Sequence, residues 1–275
     1  MATYATMMVH LELGRLNAGL MEIAGLAERF HASVIGIVAC QPLQITYGDG
    51  FIPGDLVEQD RAEIEKQIKE AEAEFRSALQ ARVSNLEWRS GVTFAPLSDY
   101  LAREARSADI IITSVTSGDL LDASRLVSTG DLVMQVGRPV LIVPSTANKL
   151  KLERVVIAWK DTRETRRAAF DALPLLKEAV EVAVVEITAE DELAAARTRL
   201  QDVVGWLKRH GVVAESIASR STGDDATRLN AIAHEQDADF IVAGAYGHSR
   251  LREWALGGVT RDLLLRANRC SLVSH

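Results

Sequence analysis

Apolar residues along this chain fall into two kinds of run that take turns from one end to the other. Short, nearly continuous runs such as Ile110-Ile111-Ile112 and Phe240-Ile241-Val242-Ala243 read as strands buried on both faces. Longer stretches repeat apolar residues at helical spacing, as in Ile64, Ile68, Ala71, Phe75 and Leu79. The pattern predicts strands over 6–11, 33–39, 87–90, 110–113 and 140–143. Helices are predicted between them over about 17–30, 56–82, 99–106 and 126–136. The second half predicts strands over 155–159, 180–187, 214–218, 240–243 and 270–274, with helices over 165–176, 191–210, 226–235 and 254–266. Strands alternating with helices imply a parallel sheet covered by helices on both faces.

The second half repeats the first. Ala108-Asp109-Ile110-Ile111-Ile112 matches Ala238-Asp239-Phe240-Ile241-Val242 at an offset of 130 residues, and Thr129-Gly130-Asp131-Leu132 matches Thr260-Arg261-Asp262-Leu263. Met7-Met8-Val9-His10 aligns with Val155-Val156-Ile157-Ala158 at an offset of 148. The difference of 18 is assigned to an extra loop between Gln41 and about Asp60, which holds Gly48, Gly50, Pro53 and Gly54. The chain therefore reads as two doubly wound α/β units, 1–147 and 148–275, joined near 145–151 without a flexible linker. A junction that short makes the two units pack on each other through a shared apolar interface.

Composition narrows the function classes. Apolar content of 48% with 25% charged residues is that of a soluble globular protein. Net charge is −7; residues 1–150 carry 13 Lys+Arg against 19 Asp+Glu, and the remainder 18 against 19. That balance argues against a nucleic-acid partner. No run approaches the ~20 apolar residues of a membrane span, and a signal-peptide pattern is lacking, so cytoplasm is the expected location. Two cysteines, Cys40 and Cys270, end or begin strands in different units. They are expected to be buried and unpaired, since neither a disulfide framework nor a metal cluster is visible. His10 sits inside an apolar strand and is read as a core histidine. Paired catalytic carboxylates, a nucleophile elbow and zinc-ligand spacing are absent from the sequence, so no catalytic residue and no metal ligand is assigned.

Candidate chemistry concentrates near the end. The strand over 240–243 runs straight into Gly244-Ala245-Tyr246-Gly247, followed nine residues later by Gly257-Gly258. A strand, a glycine-rich loop and a helix together present bare backbone N–H groups to phosphate. His248 stands beside the loop, as a phosphate donor or as an exposed histidine at a helix start. In open parallel sheets the ligand sits beyond the strand carboxyl ends where strand order reverses. Lys160 and Asp161 follow the first strand of the second unit there. Ile187 and Trp159 offer apolar surface to a base, with core filling the other use of Trp159. In the first unit, Ser114, Ser117, Leu126 and Val127 stand where Gly244, Gly247, Gly257 and Gly258 stand, so that copy reads as degenerate.

The G-x-x-G loop with its nine-residue spacing, the Ala-Asp before the strand and the Arg-Asp after Thr260 resemble the universal stress protein family, across the whole chain as two copies. The resemblance implies a flavodoxin-like, adenine nucleotide α-hydrolase-like fold arranged as a tandem pseudo-dimer, its closing strands paired across a pseudo-twofold. It further implies a stress-response protein that binds ATP or a related nucleotide, with Mg²⁺ alongside, or that has lost that site. The carried-over site is Gly244, Gly247, His248, Gly257, Gly258, Val259, Thr260, Lys160, Asp161 and Ile187. Two positions depart from the family pattern. Lys160 replaces an Asp that contacts the nucleoside, and Gly258 stands where Ser or Thr follows the third glycine, with Thr260 two residues on. Three readings remain. They are a ligand-responsive interaction protein with at most slow ATP hydrolysis, a scaffold that binds no nucleotide, and a doubly wound flavoprotein or enzyme subunit. Homodimerisation stays open.

Overall fold

In the computed structural model, residues 3–14, 17, 19–42, 54–115, 126–144, 147, 150–245 and 269–275 are described. The first unit runs β1 (Thr6–His10), α1 (Leu20–Phe30), β2 (Ser33–Cys40), α2 (Gly54–Leu79), β3 (Leu86–Val92), α3 (Leu97–Glu104), β4 (Ile110–Val115), α4 (Thr129–Val136) and β5 (Val140–Pro144). The second runs β6 (Arg154–Trp159), α5 (Arg163–Asp171), α6 (Leu173–Leu176), β7 (Glu181–Thr188), α7 (Leu193–Arg209), β8 (Glu215–Arg220), α8 (Asp225–Glu235), β9 (Phe240–Gly244) and β10 (Cys270–Ser274). The helix expected over 254–266 lies outside the described residues, as do 43–53 of the extra loop expected between Gln41 and about Asp60; from Gly54 on, that span is helix α2.

One sheet holds all of these strands, in the order β3-β2-β1-β4-β5-β10-β9-β6-β7-β8. Each half is parallel within itself and doubly wound about its first strand. The halves meet where β5 and β10 pair antiparallel, with Leu272 opposite Leu141 and Val273 opposite Val140. All four of these residues are buried, so the unit junction is sheet interior rather than a hinge. Because the join is antiparallel, the strand carboxyl ends of the two units point to opposite edges of the sheet.

A single core covers one face under α1, α2, α5, α6 and α7, with Met7, Phe75, Leu141, Leu272, Leu200 and Phe240 among its members. The other face is divided into a cluster under α3 and α4 and a cluster under α8. Further contacts cross between the halves: Tyr4 Oη donates to the Asp171 carbonyl, Leu150 N donates to Glu22, and Arg29 pairs with Glu178 at 2.9 Å.

The repeated Ala-Asp pair has a structural use. Asp109 Oδ2 accepts from Ala5 N at 2.8 Å and Thr6 N at 2.9 Å, while Asp109 N donates to Thr6 O. Asp239 repeats the arrangement on Glu153 N, Arg154 N and Arg154 O. Each carboxylate thus ties the start of a unit's first strand to the start of its fourth. Asp109→Ala should lower stability by roughly 1–3 kcal/mol, the cost of hydrogen bonds to a charged acceptor. Asp109→Asn, which keeps one acceptor, should lose less. Urea unfolding measures both, and an unchanged midpoint in Asp109→Ala would contradict this role.

Local differences from the expected elements have local causes. The helix expected over 165–176 divides into α5 and α6 at Ala172, because Pro174 in the first turn of α6 has no N–H to continue the first helix. Helix α4 starts at Thr129 rather than 126, because the Ser128 hydroxyl accepts from Asp131 N and caps it. Cys40 and Cys270 are buried and form no disulfide, and burial, with Asp239 and Glu22 nearby, pushes the Cys270 thiol up to about 12. Among the described residues, no helix is long and apolar enough to cross a membrane.

Candidate functional site

Strand β6 lies between β7 and β9, and the chain leaves β6 and β9 toward opposite flanks. The crevice of the second unit therefore opens beyond Trp159 and Gly244. Lys160 is exposed there and pairs with no acid among the described residues; its carbonyl accepts from Thr162 N. The neighbouring Asp161 is already engaged, with Arg166 Nη2 at 2.6 Å from its Oδ1. The Thr162 hydroxyl caps α5 by accepting from Thr165 N. Glu164, in the first turn, is buried. Burial pushes its carboxyl up, but hydrogen bonds from Arg163, its own backbone N–H and the Thr162 hydroxyl outweigh that and hold it below the usual carboxylate range.

Gly244 closes β9 against the start of α5. A Cβ there would lie 2.5 Å from Thr165 N, 2.7 Å from Glu164 C and 2.8 Å from Thr165 Oγ1. Two of those atoms are backbone. The first glycine of the loop is therefore required for the helix to seat beside the strand.

The apolar surface expected for a base is divided between the two faces of the sheet. Ile187, half-buried, packs with the α8 cluster beside Ala158. Trp159 packs on the opposite face against the main core, because it is in register with Glu186 rather than Ile187. The core-filling use of Trp159 is the one observed. Below the strand ends, Glu186 is 5% exposed and pairs with Arg199 Nη2 at 2.6 Å. Glu186 Oε2, Arg199 Nε and Trp159 Nε1 are buried with no partner among the described residues. The sequence reading missed this cluster, although an acid between the apolar run Val182-Ala183-Val184-Val185 and Ile187 was a visible signal.

Gly247, His248, Gly257, Gly258, Val259 and Thr260 lie outside the described residues. Of the expected site, the structure thus places Gly244, Lys160 and Asp161 around one crevice and Ile187 at its α8 side. Among the described residues, no group of His, Cys, Asp and Glu side chains is arranged to hold a metal ion.

The first unit's equivalent edge is occupied by its own side chains. Ser114 Oγ donates to Glu12 Oε1 at 3.5 Å, Asn17 bonds both Glu12 and Glu74, and Val127 packs against the core under α3 and α4. His10 Nδ1 and Thr113 Oγ1 share a buried hydrogen bond at 3.0 Å across β1 and β4. With burial as the cause, the His10 imidazole is lowered to about 4.

Residues 151–273 match the Universal stress protein family. The match does not extend over residues 1–150. A universal stress protein from Archaeoglobus fulgidus DSM 4304 is similar in structure over 98% of this chain and 95% of its own, with a TM-score of 0.72 and 14% identity. A putative universal stress protein from Pseudomonas aeruginosa UCBPP-PA14 is similar over 98% and 93%, with a TM-score of 0.60 and 15% identity. At these identities the similarity establishes a shared fold. A universal stress protein in complex with cAMP covers 52% of this chain at 22% identity and a TM-score of 0.33. None of the curated proteins matches the sequence.

Proposed function

We propose that the chain consists of two stress-protein units, 1–147 and 148–275, and that the second binds one ATP-like nucleotide while the first binds none. The observation that carries the reading is Lys160, exposed and without an ion pair among the described residues where the β6–β9 crevice opens. An ammonium at that place attracts a phosphate as a point charge. Asp161, committed to Arg166, does not cancel it. Backbone N–H groups of Gly247, Gly257 and Gly258, with Val259, Thr260 and His248, would complete the phosphate cradle, and Mg²⁺ would accompany the nucleotide. Ile187 would meet the base from the α8 side. The protein then acts in the cytoplasm as a ligand-responsive interaction protein in stress survival, a role that needs no catalytic turnover. Response follows if nucleotide prefers one conformation over another.

A scaffold that binds no nucleotide is the second reading. It is favoured by Gly244, whose lack of a side chain is already explained by α5. Equilibrium dialysis against Mg²⁺ and ATP separates the two. The nucleotide reading expects binding that Gly247→Val abolishes and Ser117→Val leaves intact. Binding that survives Gly247→Val and is lost in Ser117→Val would overturn it, and no binding at all would leave the scaffold.

A further inference from the structure

We propose that a groove at the amino-terminal ends of β6, β7 and β8 docks a partner segment that presents an apolar side chain flanked by Lys or Arg. The groove holds about 470 Å³ and opens to solvent; Arg154, Glu181, Ala214 and Glu215 line it, with the buried Val155, Val156 and Val182 behind its surface. Its mouth is flanked by Val180 and Val213, which are 77% and 86% exposed. Two valines left that open at the mouth of a groove gain by being covered. The volume falls in the range of side-chain and small-ligand pockets.

Charge at the rim selects the occupant. Arg154 is already answered twice, by Glu181 at 3.2 Å and Asp237 at 3.0 Å. Glu215, exposed on the same groove, has no ion-pair partner among the described residues. Arg154 against Glu181, Glu215 and the neighbouring Asp237 leaves a negative rim beside two exposed valines, which complements a basic segment with an apolar anchor. A second copy of the chain is the poorer fit, because it would bring like-charged rims together on a molecule of net charge −7. Strand β8 ends the sheet on this side among the described residues, so an extended segment finds unpaired backbone groups next to the groove. The groove lies at the opposite sheet edge from Lys160 and Gly244, and its role is independent of nucleotide.

The test pans a linear random-peptide library on the full-length protein and measures the recovered peptides by fluorescence anisotropy. Recovered sequences should carry an apolar residue between Lys or Arg. Their affinity should fall by about tenfold or more with Val213→Asp and with Glu215→Lys, as for a central anchor and a rim charge. Both positions are exposed, so thermal unfolding of these variants should match the wild-type protein, which separates lost docking from lost folding. Glu70→Lys on α2 should change nothing. The proposal is overturned if no peptide is enriched, if enriched peptides are acidic, or if binding ignores both groove substitutions. It is equally overturned if sedimentation shows a dimer that Val213→Asp disperses, which would assign the groove to a second copy.

Discussion

Gly244→Ala should unfold at a lower urea concentration than the wild-type protein, with a loss of roughly 1–3 kcal/mol, and Gly244→Val should lose more. The added Cβ would stand 2.5 Å from Thr165 N and 2.7 Å from Glu164 C, and backbone atoms cannot rotate away as a side chain tip can. Strand β9 cannot yield, since β6 holds Ala243 on one side and β10 holds Gly244 on the other. Helix α5 must therefore shift, and it carries the fully buried Ala168 and Ala169. The same shift would displace the Lys160–Asp161 turn that leads into α5, so any nucleotide affinity should fall with stability. Gly205 in α7 makes the control. A Cβ there meets only Arg209 Nη1 at 3.8 Å, so Gly205→Ala should stabilise by about 0.5–1 kcal/mol through helix propensity. Equal stabilities for Gly244→Ala and wild type would show that the strand–helix seat is not as tight as described.

Acidification should cost the protein about 3 kcal/mol through His10 alone, an order-of-magnitude figure from the free energy of one pKa unit. The imidazole is buried beside Thr113 and titrates near 4 in the folded chain, against an ordinary value of 6.5. The unfolded chain takes up this proton first. Stability from this group is therefore complete above pH 6.5, falls as pH drops from 6.5 toward about 4, and changes no further below that. Carboxylates titrate in the same window, so the comparison is with His10→Gln, which keeps a hydrogen-bonding partner for Thr113 but does not titrate. Urea unfolding at a series of pH values should show the wild-type protein losing about 3 kcal/mol more than the variant across the window. Parallel curves for the two proteins would mean that His10 accepts its proton in the folded state.

Much of the fold is legible in residue patterning because its causes are local. The run Ile110-Ile111-Ile112 can only be a strand covered on both faces, and it is β4, between β1 and β5. The repeated Ala-Asp announced two copies, yet its purpose needed the structure. That the carboxylate of Asp109 reaches Ala5 and Thr6, more than a hundred residues away, is a fact of tertiary pairing. Register is invisible for the same reason. Trp159 and Ile187 look like partners in a sequence, but pairing of Trp159 with Glu186 sends them to opposite faces. Gly244 is visible in the sequence as part of a glycine loop, whereas the steric demand for it comes from α5, far from the loop in sequence. The Glu186–Arg199 pair joins a strand to a helix that returns over it, so no spacing rule exposes it.

The central claim, one nucleotide site per chain in the second unit, is tested most directly by titrating the full-length protein with Mg²⁺ and ATP in a calorimeter. The second unit has Gly244 at the end of its fourth strand and, after its first, Lys160, which pairs with no acid among the described residues, while Glu12, Ser114 and Asn17 hydrogen-bond one another at the first unit's edge. The account predicts a single class of site with a stoichiometry near one. A stoichiometry near two would show that the first unit is not degenerate, and no heat of binding would contradict the claim outright.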